Sequence, residues 1–375
     1  MIYNNFADIK ISSLGYGCMR FPLDENGKID KAETKKLIDY AMANGINYYD
    51  TAWGYLGGES EIVTGALLSN YPRDSYYLAS KFPGYDLNNM GKVEEIFERQ
   101  LEKCGVEYFD FYLFHNVCEL NIDGYLDPKF GIYDYLIKQK KNGRIKHLGF
   151  STHGTYETIT RFLDAYGKDM EFCQIQLNWL DWEFQNAKRV VELLDSLSIP
   201  VWVMEPVRGG RLTTLVPKYA DKLKEVNSAR SLADWAFNFV KSIPSVTVTL
   251  SGMSTMEQLK ENIEIFSKND VLVKEEKDAL IALGREITKV DALPCTGCKY
   301  CTEGCPMGIN IPRIVDLYNE YSYSGMGFRI NMAISSMDED KKPSACIGCQ
   351  ACEALCPQNI KISEMMKKFA DILKK

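Results

Sequence analysis

No run among the 375 residues approaches the roughly 20 apolar positions a membrane helix needs, so a helical membrane span is excluded. A basic stripe is missing too. Lys and Arg number 44 against 51 Asp and Glu, and the net charge of −7 argues against nucleic acid as a partner. The opening residues MIYNNFADIK lack the basic-then-apolar pattern of a secretory signal, which leads us to expect a cytoplasmic protein. A GxGxxG turn after the first strand candidate is absent, as is any recognisable flavin motif. The twelve cysteines do not imply a disulfide framework, because the chain is neither short nor evidently exported. Their placement says more. Cys18, Cys104, Cys118 and Cys173 are scattered, whereas the other eight fall into two tight groups after residue 294.

A 46% hydrophobic and 25% charged composition is that of a folded globular protein, and the length suits one large domain plus a small one. Before residue 270, short apolar runs alternate with amphipathic stretches. The runs are LGYGCM (14–19), INYYD (46–50), YYLASK (76–81), DFYLFH (110–115), KHLGFS (146–151), FCQIQL (172–177), PVWVME (200–205) and VTVTLS (246–251). Rich in β-branched and aromatic residues and apolar almost throughout, they read as strands buried on both faces of a parallel sheet. Helical segments between them include KAETKKLIDYAMANG and KVEEIFERQLEKCG, each closing on Gly, and FQNAKRVVELLDSLS. Eight strand–helix units predict a (β/α)8 TIM barrel, with a doubly wound open sheet as the alternative. A further helix, KEEKDALIALGREI (274–287), precedes a shift to Cys, Gly and Pro. The expected domains are therefore 1–287 and 288–375.

Chemistry in such a barrel gathers where the strands end at their carboxyl side. Asp50 ends the second strand candidate, Tyr55 follows in DTAWGY, Lys81 ends the third and His115 the fourth. A Tyr can give a proton to a carbonyl oxygen, although a free phenol with a pKa of about 10 is a reluctant acid. A nearby ammonium favours the phenolate, so Lys81 is expected to lower the Tyr55 pKa, with Asp50 holding Lys81 and His115 orienting the carbonyl. Any one of these residues could serve only as a cap or for packing. Four at the ends of consecutive strands form a set. The loop 116–131, with Trp53, Trp179, Trp182 and Arg208, is expected to shape the pocket.

The segments GINYYDTAWGYLGGESE, LASKFP, DFYLFH and IKHLGFST resemble the signature segments of the aldo-keto reductase family, over roughly residues 10–270. That resemblance implies a barrel enzyme reducing small-molecule carbonyls with NAD(P)H, Tyr55 as proton donor and Asp50, Lys81 and His115 in support. It also implies that Ser151 and Gln174 hold the nicotinamide carboxamide. The segment GMSTMEQLKEN (252–262) would carry the adenosine phosphates through Gly252, Ser254, Gln258, Glu261 and Asn262, aided by free N–H groups at a helix start. Two positions depart from the family pattern. Met204 stands where many members place a ring against the nicotinamide, and Gln258 where many place the Arg or Lys of a 2′-phosphate site, with Lys260 nearby.

The two cysteine groups share one spacing. Residues 295–306 read Cys-x2-Cys-x2-Cys-x3-Cys-Pro, and 346–357 repeat it. In the bacterial ferredoxin run three thiolates hold one 4Fe–4S cluster and the fourth crosses to the other. Cluster one would take Cys295, Cys298, Cys301 and Cys356, and cluster two Cys346, Cys349, Cys352 and Cys305. Gly297 and Gly348 would let the chain wrap each cluster, and Pro306 and Pro357 would end each run. Structural zinc is the competing reading, but a tetrahedron does not need the third, equally spaced Cys. The tail resembles two-cluster ferredoxin domains over about residues 290–370. Its gap between the runs is long, and IPRIVDLYNEY and GFRINMAISSM read as helices, so a mainly helical variant is expected. So small a domain is expected to lean on its clusters for stability.

A nicotinamide moves two electrons as hydride and each cluster moves one. One expectation is therefore a carbonyl oxidoreductase whose clusters serve a ferredoxin or flavoprotein partner. A second makes the clusters structural, in place of the loop that closes the substrate pocket. A third is a redox-sensing or electron-carrying protein whose barrel does not catalyse.

Overall fold

The computed structural model describes residues 1–289, 293, 295, 300–356 and 358–374. These fold as two compact units, Met1–Ile281 and Ala282–Lys375. The first opens with a hairpin, β1 (Tyr3–Phe6) and β2 (Ile9–Ser12). Eight parallel strands then follow: β3 (Leu14–Gly17), β4 (Tyr48–Asp50), β5 (Tyr77–Phe82), β6 (Phe109–Val117), β7 (Ile145–Thr152), β8 (Cys173–Gln176), β9 (Val201–Met204) and β10 (Val246–Ser251). They pair in sequence order and close, β10 onto β3, into a barrel, and each matches one of the eight predicted runs.

The hairpin has no counterpart in the expectations. Two-residue hairpin turns advertise themselves as Asn-Gly or Asp-Gly, whereas this one runs through Ala7 at a φ of +48°. Phe6, from the hairpin, fills the floor of the barrel. Its ring meets Trp202 at 4.9 Å and Phe111 at 5.7 Å, within a buried group that includes Tyr48, Phe172, Val248 and Leu250. A barrel filled by side chains in this way is a core and not a pore, which leaves the opposite rim for chemistry.

The helices start where the sequence supplies caps. Asp30, Thr155, Ser231 and Thr255 each accept a bond from an N–H in the first turn of the helix that follows. Helix 60–68 lies hard against helix 93–104 because residue 65 is Gly. A Cβ there would stand 2.1 Å from the Cys104 carbonyl oxygen. This contact fixes the helix that begins just past Tyr55.

Arg230 staples the helix that starts at Lys274 to the rest of the unit. It donates from Nε to Glu276 at 2.9 Å, from Nη1 to Asp234 and Asp270, and from Nη2 to Asp270 at 3.1 Å. Replacing it with Met would strand the buried Glu276 carboxylate beside two others. The expected loss is roughly 3 kcal/mol of unit stability, read as a lower urea midpoint of the far-ultraviolet signal.

Among the described residues the second unit is helical, with helices at Tyr300–Glu303, Ile311–Ser324, Phe328–Ser335, Ala351–Ala354 and Ile362–Leu373. Its core is fuller than its size suggests. Ile314, Leu317, Tyr318, Ile330, Met366 and Phe369 are buried together, with the Tyr318 and Phe369 rings 5.6 Å apart. No helix among the described residues is long and apolar enough to cross a membrane.

Candidate active site and metal centre

Asp50 and Lys81 stand on neighbouring strands, and both are buried. The Lys81 Nζ donates to Asp50 Oδ1 at 2.6 Å and to the Thr51 carbonyl at 2.8 Å. Burial raises the Asp50 carboxyl pKa, while the Lys81 charge works against that rise. Asp50 Oδ2 is buried without a hydrogen-bond partner.

Tyr55 opens a single turn, Tyr55–Gly58, that the backbone makes with positive φ at Leu56, Gly57 and Gly58. Two glycines make this reversal cheap. It swings the Tyr55 ring over Lys81, whose Nζ lies 5.0 Å from the ring centre. The His115 imidazole meets the same ring edge-on, centres 5.9 Å apart. The backbone of His115 is held by Tyr125, whose hydroxyl donates to its carbonyl at 2.8 Å. Its Nδ1 is buried without a partner. Burial, then Lys81 and His153, hold the His115 pKa well below the ordinary imidazole value, so the ring is neutral at pH 7. All four predicted residues therefore come together.

One detail differs from expectation. The Tyr55 phenol is not eased toward neutrality by Lys81. Burial raises its pKa well above the usual value, and Asp50, Cys18 and Glu205 add to the rise. Asp50, bonded to the ammonium at 2.6 Å, offsets the Lys81 charge at Tyr55.

Ser151 and Gln174 are register partners on β7 and β8, both buried. Ser151 Oγ accepts from the Asn116 N–H at 2.8 Å. Gln174 turns Nε2 to the Met204 sulfur at 3.8 Å and leaves Oε1 buried and unpaired. An orphaned acceptor beside a hydroxyl suits a primary carboxamide, so these residues fit a nicotinamide. Gly252 follows β10, where a Cβ would lie 3.0 Å from the Arg20 side chain. The Ser254 hydroxyl donates to the Arg20 carbonyl at 2.7 Å, and the Ser254 N–H donates to Gln258 Oε1. Glu261 and Asn262 are bonded within the fold, to Ser231 and Ser251. Lys260 turns to the Tyr40 ring instead.

Sequence reasoning missed Arg20, which packs on Gly252 with Nη2 3.9 Å from Glu205. The signal was a cation three residues past the first strand. It also missed the buried Glu61, which receives Ser80 Oγ, Gln100 Nε2 and Lys103 Nζ at 2.6–2.7 Å and so braces β5 next to Lys81. Of the expected pocket residues, Trp53 stacks under Lys103 at 4.6 Å, Trp179 is buried, Trp182 packs on Phe239, and Arg208 is paired with buried Asp181. The loop 116–131 folds into a short helix, Ile122–Leu126, and a turn, Pro128–Phe130.

In the second unit Cys305, Cys346, Cys349 and Cys352 line a single recess, whose other walls include Ile309, Ile311, Ile362 and Met366. These are the four thiols assigned to cluster two. Gly348, at a φ of +69°, turns the chain between Cys346 and Cys349. Cys352 is pushed up to about 11 by burial and by the neighbouring Cys346, with Cys305 adding to the rise. Cys295, Cys301 and Cys356 all pack on the same core. Cys298, Gly297 and Pro357 lie outside the described residues. Among the described residues no three His, Cys, Asp or Glu side chains stand within coordination reach of one point. Four thiols on one apolar recess nonetheless suit an iron–sulfur cluster by donor chemistry, and closure onto iron would be coupled to its binding.

Comparison with known proteins adds two matches. The model of the Aldo/keto reductase family matches residues 13–284, and that of the 4Fe-4S dicluster domain matches residues 294–360. The chain is 27% identical to "Probable aldo-keto reductase 1" of Glycine max over 54% of its own length and 57% of that protein's, so it spans little more than half of this relative. It is 24% identical to the NADH-specific methylglyoxal reductase of Escherichia coli (strain K12), over 70% of this chain and 92% of that one. Among solved structures, an aldo-keto reductase from Klebsiella pneumoniae in complex with NADPH superposes with a TM-score of 0.62. It is 19% identical, over 76% of this chain and 95% of that one.

Proposed function

Since the chain belongs to the aldo/keto reductase family, we propose that it is a nicotinamide-dependent carbonyl oxidoreductase with two 4Fe–4S clusters that exchange single electrons with a partner protein. The observation that carries the barrel half of this reading is the Asp50–Lys81–Tyr55–His115 set.

Ser151 and Gln174 would hold the nicotinamide by its carboxamide, and the group when bound supplies hydride to the substrate carbon. Tyr55 gives its phenolic proton to the carbonyl oxygen as that carbon is reduced, which balances the reaction to an alcohol. Lys81 keeps its ammonium 5.0 Å from the centre of the Tyr55 ring, and Asp50 holds it there through the 2.6 Å bond. Neutral His115 donates to the carbonyl oxygen and fixes its direction. NADH is the favoured donor. Gln258 offers no positive charge to a 2′-phosphate, Lys260 is turned to Tyr40, and the Escherichia coli relative is named NADH-specific.

In the second unit Cys295, Cys298, Cys301 and Cys356 would hold one cluster, and Cys346, Cys349, Cys352 and Cys305 the other. Hydride and single electrons are different currencies, so the partner would be a ferredoxin or flavoprotein that deals in single electrons. The anaerobic protein is expected to carry about eight iron and about eight sulfide per chain. Its visible absorbance is expected to bleach with a one-electron donor and not with NADH alone. Zinc in place of iron would end the cluster assignment. Bleaching by NADH on the time scale of turnover would replace the partner with a direct relay.

A further inference from the structure

Beside the Tyr55–His115 pair stands a second phenol. Tyr85, on the loop after β5 and four residues past Lys81, meets the His115 ring edge-on, with centres 5.1 Å apart and planes at 89°. Tyr55 approaches the same imidazole at 5.9 Å. The Tyr85 hydroxyl rests against the backbone just before Tyr55, since a Cβ at Gly54 would lie 2.3 Å from its oxygen. The side chain is partly exposed, and no hydrogen bond ties its hydroxyl to another described residue. Burial and the Tyr55 neighbour push it up to about 12, so it is a proton-bearing donor at neutral pH.

We propose that Tyr85 is a specificity-determining residue whose phenol hydrogen-bonds an oxygen adjacent to the carbonyl addressed by Tyr55 and His115, so that the preferred substrates are α-oxygenated aldehydes and ketones. Two phenols on one imidazole suit two neighbouring oxygens. A site with a waiting donor discriminates against a substrate that lacks the second oxygen, because the donor then loses its partner.

This inference rests on the carbonyl-reductase reading, and a matched substrate pair separates the two. Hydroxyacetone and 2-butanone are close in shape and differ in a hydroxyl for a methyl. With the full chain and NADH, kcat/KM is expected to favour hydroxyacetone about tenfold. Tyr85→Phe, which keeps the ring packing, is expected to bring the ratio to about one, by slowing hydroxyacetone and by lifting the penalty of the unpaired donor on 2-butanone. A ratio that survives the substitution, or a wild-type chain that reduces both ketones equally, overturns the role of Tyr85 alone. A wild-type chain inert toward both, with an alkanal also untouched, overturns the carbonyl-reductase reading and this inference with it.

Discussion

Tyr55→Phe is expected to lower kcat for carbonyl reduction by roughly 10²–10⁴-fold, with KM and the visible spectrum of the clusters unchanged. The ring of Phe keeps the edge contact with His115 and the stacking over Lys81, so only the acidic proton is lost. The pH dependence follows from the environment of the group. A proton donor is competent below its own pKa, and burial with Asp50 holds the Tyr55 value well above 10. No loss of rate from Tyr55 ionisation is therefore expected between pH 6 and 9. His115 works in the other direction. Burial and Lys81 hold its pKa well below the ordinary imidazole value, so it is neutral at pH 7 and adds no limb above that pH. A Tyr55→Phe protein reducing carbonyls within threefold of wild type would remove Tyr55 as the proton donor, whereas no reduction by either protein would favour a barrel that does not catalyse and leave the clusters as the working part.

The same four residues mark how far sequence carries. Asp50, Lys81 and His115 were legible because each falls at, or within two residues of, the end of its strand, and a barrel brings successive strand ends to one rim. Their mutual electrostatics were not. Whether Lys81 lowers the Tyr55 pKa depends on how tightly Asp50 neutralises it, which only the 2.6 Å bond decides. Arg20 and Tyr85 were invisible for another reason. Each sits in a loop with no strand-end signal, and reaches the site only because β10 closes onto β3 and because Gly54 leaves room for a hydroxyl. The hairpin escaped because its Ala7 turn carries none of the residues that usually mark one. The cysteine spacing, by contrast, picked out in advance the four thiols that share a recess. That pattern is a property of the metal and not of long-range packing.

Cys352→Ala is expected to reduce iron from about eight to about four per chain and to open part of the second unit to protease, while residues 1–281 resist cleavage. The expectation that this unit leans on its clusters for stability needs refining, since Leu317, Tyr318, Met366 and Phe369 form a core of their own. Helices 311–324 and 362–373 bury those residues against one another and should survive. The four-residue helices 300–303 and 351–354 are far too short to persist alone, so the new cleavage sites are expected at 300–310 and 343–360. Removing a buried thiol also removes packing, which Cys349→Ala controls for. Cys349 is exposed, so the same iron loss from that variant assigns the effect to the metal. The sharper test is Cys305→Ala. Cys305 belongs to the first sequence run yet shares the recess of the second, so it should cost the same cluster as Cys352→Ala. The double variant should then lose no more iron than either alone. If Cys305→Ala and Cys352→Ala instead deplete iron additively, each run holds its own cluster and the crossed assignment falls.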